Sequence, residues 1–207
     1  CLTAARENAR QIREVISSEM WQHLNRYYLM VRDTGFRQQI GRREHTFFEE
    51  IQAAGQSFVG ITDTTMTHNV GWHFSRLGRE IERADKTSRI LDVKYYILLP
   101  NVEDVGSPFD AIQWAALLKS ASALEMYRQR NGRITPDKVV EFLILDRDFP
   151  RAVLYSLTRA QESLHEITGS PQNTFSNPSE QRLGQLWSEL AYGKSEDIIA
   201  RGLHEFI

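Results

Sequence analysis

At 207 residues, 41% hydrophobic and 25% charged, the chain has ordinary globular composition and enough length for one sizeable core or two small ones. A formal net charge of -2 gives no global electrostatic drive toward nucleic acid or an acidic membrane, and no run of about 18 apolar residues offers a transmembrane span. The single cysteine, Cys1, excludes an internal disulfide and a thiolate zinc cluster, which fits a reducing, cytoplasmic setting.

The periodicity predicts an all-α chain. From Thr3, the residues Ala5, Ala9, Ile12 and Ile16 share one face of a first helix, while Arg6, Arg10 and Arg13 line another beside Glu7 and Glu14. Such a row either clamps a carboxylate or phosphate through its planar forks or is a solvated face balanced by the glutamates. Ser17-Ser18-Glu19 starts a second helix with Trp21, Leu24, Tyr28 and Val31 on its packing face. Asp33-Thr-Gly-Phe36 breaks it, with a loop or short turn to about Gly41. A third helix from about Arg43 carries Phe47, Ile51, Ala54, Phe58 and Ile61, and its Gly55 and Gly60 either permit close packing or are simply tolerated. The pattern fades around Thr62 to Met66, and Asn69 is placed to cap the next helix.

A long helix from about 70 to 99 is expected to be central to a bundle of about nine helices. Phe74, Ile81, Ser88 and Tyr95 recur every seventh residue, as do Leu77, Ala84, Leu91 and Leu98, and at about 100° per residue the two rows merge into one narrow seam. Arg79 and Lys86 project opposite that seam with Glu82 and Arg83 on either side, and Arg76, Glu80, Arg83 and Thr87 flank it. Such a face is solvated, locks helices together, or lines a polar pocket; buried without partners it would cost several kcal/mol. The expectation is that Arg79, Glu82 and Arg83 are shielded by other helices, with Arg6, Glu7 and Arg10 as partners.

Pro100 to Pro108 is the clearest loop. A fifth helix runs from about Phe109 to Arg130 and ends at Asn131-Gly132. Thr135-Pro136-Asp137 starts a short buried helix through Val139 to Leu145, a run that in isolation would also suit a strand. Phe149-Pro150 opens the next helix, with Val153, Leu157, Ala160, Leu164 and Ile167 on its seam and Gly169 at its end. The stretch from about 170 to 179 is a flexible polar linker, and two short helices around 181–191 and 195–207 close the chain. Glu162-Ser-Leu-His165 has the spacing of a di-metal bundle site, but no second copy accompanies it; no metal is expected, and His165 is assigned to a helix surface. No serine elbow and no phosphate-cradling glycine loop occurs, so neither nucleophilic catalysis nor a cofactor is predicted.

The stretch Trp72-His-Phe-Ser-Arg-Leu-Gly-Arg-Glu-Ile-Glu-Arg-Ala-Asp85, with Glu82-Arg83 preceded by Gly78-Arg79, resembles the signature of the bacterial Alpha-E family, a helical domain named for its Glu-Arg motif. Arg6 to Arg10 with Arg13-Glu14, Trp21 and Asn25 upstream are similar to the family's stretch before the motif. Asp146-Arg-Asp-Phe-Pro-Arg151, Leu164, Ile167-Thr-Gly169 and Gly202-Leu-His-Glu-Phe206 are similar to its later part. The resemblance implies a single Alpha-E-like domain over 1–207. Full-length members carry an earlier copy of the motif, so the chain is expected to lack the family's N-terminal part. Members occur beside or fused to ATP-grasp peptide-ligase-like, transglutaminase-like and amidoligase-like proteins. The implied function is a helical accessory domain that acts with such a partner in peptide synthesis or modification. The alternatives are a stand-alone amide-bond transferase or hydrolase using Glu82 with arginine anion clamps, and a purely structural interaction bundle.

Overall fold

A computed structural model of the chain describes residues 1–32, 34–97 and 108–201, with side chains for 1–32, 45–94, 110–198 and Arg201. Among these residues it forms ten α-helices, one π-helical turn and no strand. No described helix is long and apolar enough to cross a membrane. The chain divides into two compact units, Cys1–Trp72 and His73–Ile207.

The first unit contains α1 (Leu2–Gln11), α2 (Ser18–Arg32), α3 (Thr34–Thr65) and the opening turn of α4 (Val70–Ile97). Both local caps form as predicted: Ser17 Oγ accepts the Met20 amide at 3.1 Å, and Asn69 Oδ1 accepts the Gly71 amide at 3.0 Å. Helix α2 packs against α1 and α3 around Ala9, Met20, Leu24 and Thr62. A His23 ring nitrogen lies 2.8 Å from the Ala54 carbonyl. The predicted loop from Asp33 to Gly41 is a correction: α3 is helical from Thr34 and runs through Gly35 and Gly41. Each helical glycine costs about 1 kcal/mol relative to alanine, which packing along a 32-residue helix can offset. Close packing is not why Gly55 and Gly60 are there, because a methyl group added at either would meet nothing within 4 Å.

The second unit holds the rest of α4, then α5 (Pro108–Ser120), α6 (Leu124–Asn131), α7 (Pro136–Val140), the π-helix Glu141–Leu145, α8 (Val153–Thr168), α9 (Pro178–Ala191) and α10 (Ser195–Arg201). Its core includes Leu91, Leu118, Tyr127, Leu143 and Ile144, none more than 2% exposed. Each such side chain stabilises the fold by about 1.5–3 kcal/mol. The predicted single helix from Phe109 to Arg130 breaks at Ser122, where φ is 52°, so that Ala121 and Ala123 can both be buried in a tight turn. Val139 to Leu145 is helical, as expected from its cap, but it widens into a π turn that buries Phe142, Leu143 and Ile144 in succession. Gly132 and Gly169 end their helices at φ 65° and 72°, values that glycine reaches without strain.

Helix α4 departs most from expectation. Its buried residues are Glu80, Ala84, Thr87, Leu91 and Lys94, still a four-three repeat but turned about 60° from the predicted seam toward the Arg/Glu side. Phe74 and Ile81 of that seam are 57% and 48% exposed. The reason is Lys94, whose ammonium lies 2.7 Å from Asp110 and 2.6 Å from Gln113 and faces the Trp114 ring, so a charged residue takes a core position. Leu98, the side chain of Tyr95, the predicted loop as far as residue 107, and Gly202 to Phe206 lie outside the described residues.

Candidate functional site

Successive residues of an α-helix leave its axis about 100° apart, so Glu82 and Arg83 point in different directions. Arg83 turns inward: its Nη1 donates to Glu80 Oε2 at 2.7 Å and to the Pro150 carbonyl at 3.4 Å. Glu80, 3% exposed, also accepts from Arg79 Nε at 3.4 Å. A turn earlier, Arg76 Nη2 donates to Glu162 of α8 at 2.8 Å, and Arg159 reaches the same carboxylate at 3.0 and 3.1 Å. A turn later, Thr87 Oγ1 donates to the Arg151 carbonyl at 2.8 Å. These bonds fasten α4 to α8 and to the turn before it. That turn is held by Asp146, which accepts the Asp148 and Phe149 amides at 2.9 and 2.6 Å and pairs with Arg130.

The predicted shielding holds for Arg79 and Arg83, whose side chains are 22% and 28% exposed. For Glu82 it is wrong. Its side chain is 67% exposed and lies 2.9 Å from Lys86, whose ammonium it holds above the ordinary lysine range. The acid of the inner cluster is Glu80. Arg6, Glu7 and Arg10 find partners within the first unit: Arg10 forks onto Glu7 at 2.7–3.1 Å, and Arg6 Nε donates to Asn25 at 2.7 Å. The Arg6 guanidinium faces the Tyr28 ring at 4.9 Å, and that of Arg13 faces Trp21 at 5.0 Å. Arg6 and Arg13 of the arginine row therefore dock on the aromatic side of α2, while Arg10 stays exposed on its own helix.

Nor does the Glu162/His165 pair offer a metal site, since Glu162 is taken by arginines. His165 is buried, a correction to its predicted surface position, with Nδ1 2.9 Å from Ser170 Oγ. Beyond it, the carboxylate of Glu180 accepts from Thr168, Ser170 and both the amide and hydroxyl of Ser176. These donors hold its pKa at about 2, and they tie down both ends of the stretch expected to be a flexible linker. Sequence reasoning passed over Lys94, Asp110 and Glu180. The spacing 80, 84, 87, 91, 94 puts Lys94 on one face with Glu80 and Thr87 but carries no signal that this face is the inner one. Asn177-Pro178 followed by Glu180, a helix start with an acid three residues after its cap, could have revealed the last.

The family model for Alpha-E, described as a predicted alpha-helical domain with a conserved ER motif, matches residues 1–207. Glu82-Arg83 is the sole Glu-Arg dipeptide in the sequence. The chain is 26% identical over 166 residues to "Uncharacterized protein Mb2597" of Mycobacterium bovis and to "Uncharacterized protein MT2643" of Mycobacterium tuberculosis, covering 78% of this chain and 18% of each relative. It is 28% identical over 111 residues to "Uncharacterized protein Rv2567" of Mycobacterium tuberculosis, covering 54% of this chain and 12% of that protein. The match thus spans less than a fifth of the length of these relatives. No solved structure matches the chain.

Proposed function

The chain belongs to the Alpha-E family, and from that premise we propose that it is a helical accessory domain acting with an ATP-grasp or amidoligase-type partner in peptide synthesis or modification. The observation that carries this reading is the split orientation of the Glu-Arg motif. Arg83 is accounted for by folding, because it bonds the buried Glu80 and a backbone carbonyl. Glu82 is not, because it stands in solvent beside a lysine of its own helix, a pairing worth only tenths of a kcal/mol. An acid that defines a family and does little for the fold has a reason outside the fold, and contact with a partner protein supplies one. The family's association with peptide-ligase-like and amidoligase-like proteins supplies the partner's class. A stand-alone hydrolase or transferase using Glu82 is less well supported, because the arginines that would serve as its anion clamps, Arg79 and Arg83, already face Glu80.

The test is capture with the tagged chain, followed by ATP-dependent ligation assays on the captured protein with and without it. Ligation that rises with the chain and falls with Glu82→Lys supports the reading. Amide-bond turnover by the chain alone would replace it with the enzymatic alternative. Capture unaffected by Glu82→Lys would refute the role given to that residue.

A further inference from the structure

The second unit carries a cleft of about 510 Å³ between α8, α9 and the turn that joins them, and the Glu-Arg motif has no part in it. Its chemistry is unusual for a helical surface. Gln161 enters from α8, and Gln181 and Gln185 from α9, and none of these carboxamides makes a hydrogen bond within the described residues. Phe175 and Tyr192, 61% and 81% exposed, stand in its wall. Trp187 is fixed beneath by its indole N–H, which donates to Thr158 Oγ1 at 2.9 Å. Asn173 holds φ 64° at the lip, a conformation that asparagine tolerates better than most residues. The one carboxylate in the lining, Glu180, is already saturated by its hydroxyl and amide donors. The cleft is therefore polar, aromatic and almost without available charge.

We propose that this cleft binds an extended, uncharged peptide segment. A carboxamide offers a donor and an acceptor in one fork, which is the complement of a peptide group. On α9, Gln181 and Gln185 are four residues apart, a rise of about 6 Å. Peptide groups that face the same way along an extended chain recur every second residue, at about 6.6 Å, so the two forks fall nearly in register with alternate groups. From Gln181 to Tyr192 the track is about 16 Å long, the span of roughly five extended residues. Gly184 lies within it, and a methyl group there would meet only Gln161 Nε2 at 3.9 Å. The glycine keeps the floor open without being required by packing. The near-match of the roughly 6 Å and 6.6 Å spacings favours an extended peptide, and a glycan, whose hydroxyls also pair with carboxamides, is an outcome of the test. The site goes beyond the accessory role and does not depend on it.

The experiment is a titration of the isotopically labelled chain, observed by NMR, with an acetylated and amidated hexapeptide of alternating serine and leucine. Saturable shifts of the Gln181 and Gln185 side-chain amides and the Gly184 and Ser188 backbone amides are expected. The Gln181→Ala/Gln185→Ala double variant should bind about tenfold more weakly. Gly184→Leu should abolish binding while leaving helix content and thermal midpoint no lower than in the parent, since leucine favours the helix and meets open space. Three results would overturn the site: no saturable shift at millimolar peptide, equal binding of the same peptide with its backbone amides N-methylated, or unchanged binding by Gly184→Leu. Shifts produced by maltohexaose and not by the peptide would assign the cleft to glycans instead. Peptide binding in the absence of any ligase keeps the site whatever becomes of the partnership above.

Discussion

The two acids of Arg79-Glu80-Ile81-Glu82-Arg83 are two residues apart and should behave as different kinds of residue. Glu80→Ala removes a carboxylate that is 3% exposed and faces Arg83 at 2.7 Å and Arg79 at 3.4 Å. Removing one partner of a fully buried pair costs about 3–5 kcal/mol, because the remaining charge is left without compensation. Here the arginines are 22% and 28% exposed, so water recovers part of the loss and about 2–4 kcal/mol remains. Glu82→Ala breaks an exposed i,i+4 pair and should cost less than about 0.5 kcal/mol. Urea unfolding followed by circular dichroism resolves the two, because with a slope of about 2 kcal/mol per molar the Glu80 variant shifts the midpoint by roughly 1–2 M. Equal midpoints for the variants, or a Glu80→Ala loss below about 0.5 kcal/mol, would refute the inner role given to Glu80.

Glu180 has a folded pKa of about 2 against an ordinary value of 4.5, so its contribution to stability is complete above about pH 4.5 and is lost as pH falls toward 2. Acid titration of the unfolding midpoint should therefore fall more steeply for the parent than for Glu180→Gln in that window, and parallel curves would refute the assignment. Gly60→Ala should stabilise α3 by about 0.5–1 kcal/mol, because a helical glycine with open space around it only adds freedom to the unfolded chain. Gly193→Ala should do the reverse by about 1–3 kcal/mol, since its methyl group would lie 2.7 Å from the Glu189 carbonyl oxygen; thermal melts check both. Lys94→Met should cost about 3–5 kcal/mol by removing the ammonium that faces buried Asp110, and Lys94→Met/Asp110→Leu should recover much of that loss in the same denaturation assay.

Features governed by a few adjacent residues were legible in the sequence. Ser17, Asn69, Gly132 and Gly169 mark helix ends because a cap needs only its own turn. The inward acid of α4 was not legible, because spacing fixes which residues share a face and not which face meets the core. In α4 that choice rests on Asp110, Pro150 and Arg151, which lie far along the chain. Counting apolar residues as the inner row placed Glu82 on the shielded face and gave Glu80 a flanking role. A row containing Glu80, Thr87 and Lys94 is inner only once their partners are known. The same limit hid the break at Ser122, where two alanines sink into a core built by other elements.

The π turn at Glu141–Leu145 makes the chain's length at that point matter more than its spelling. Such a turn is an α-helical turn that has absorbed one additional residue, so the positions after it keep nearly the phase of the helix before it. Interchanging Leu143 with isoleucine or methionine alters shape by little, and a core tolerates such swaps at modest cost. Inserting one further residue, which the already widened turn has no room to absorb, would swing Asp146 through about 100°. Asp146 would then leave Arg130 and the Asp148 and Phe149 amides together, and the turn that presents the Pro150 and Arg151 carbonyls to α4 would lose its anchor. A library of single-residue insertions should find this short segment among the least permissive in the second unit, in contrast to its tolerance of apolar exchange.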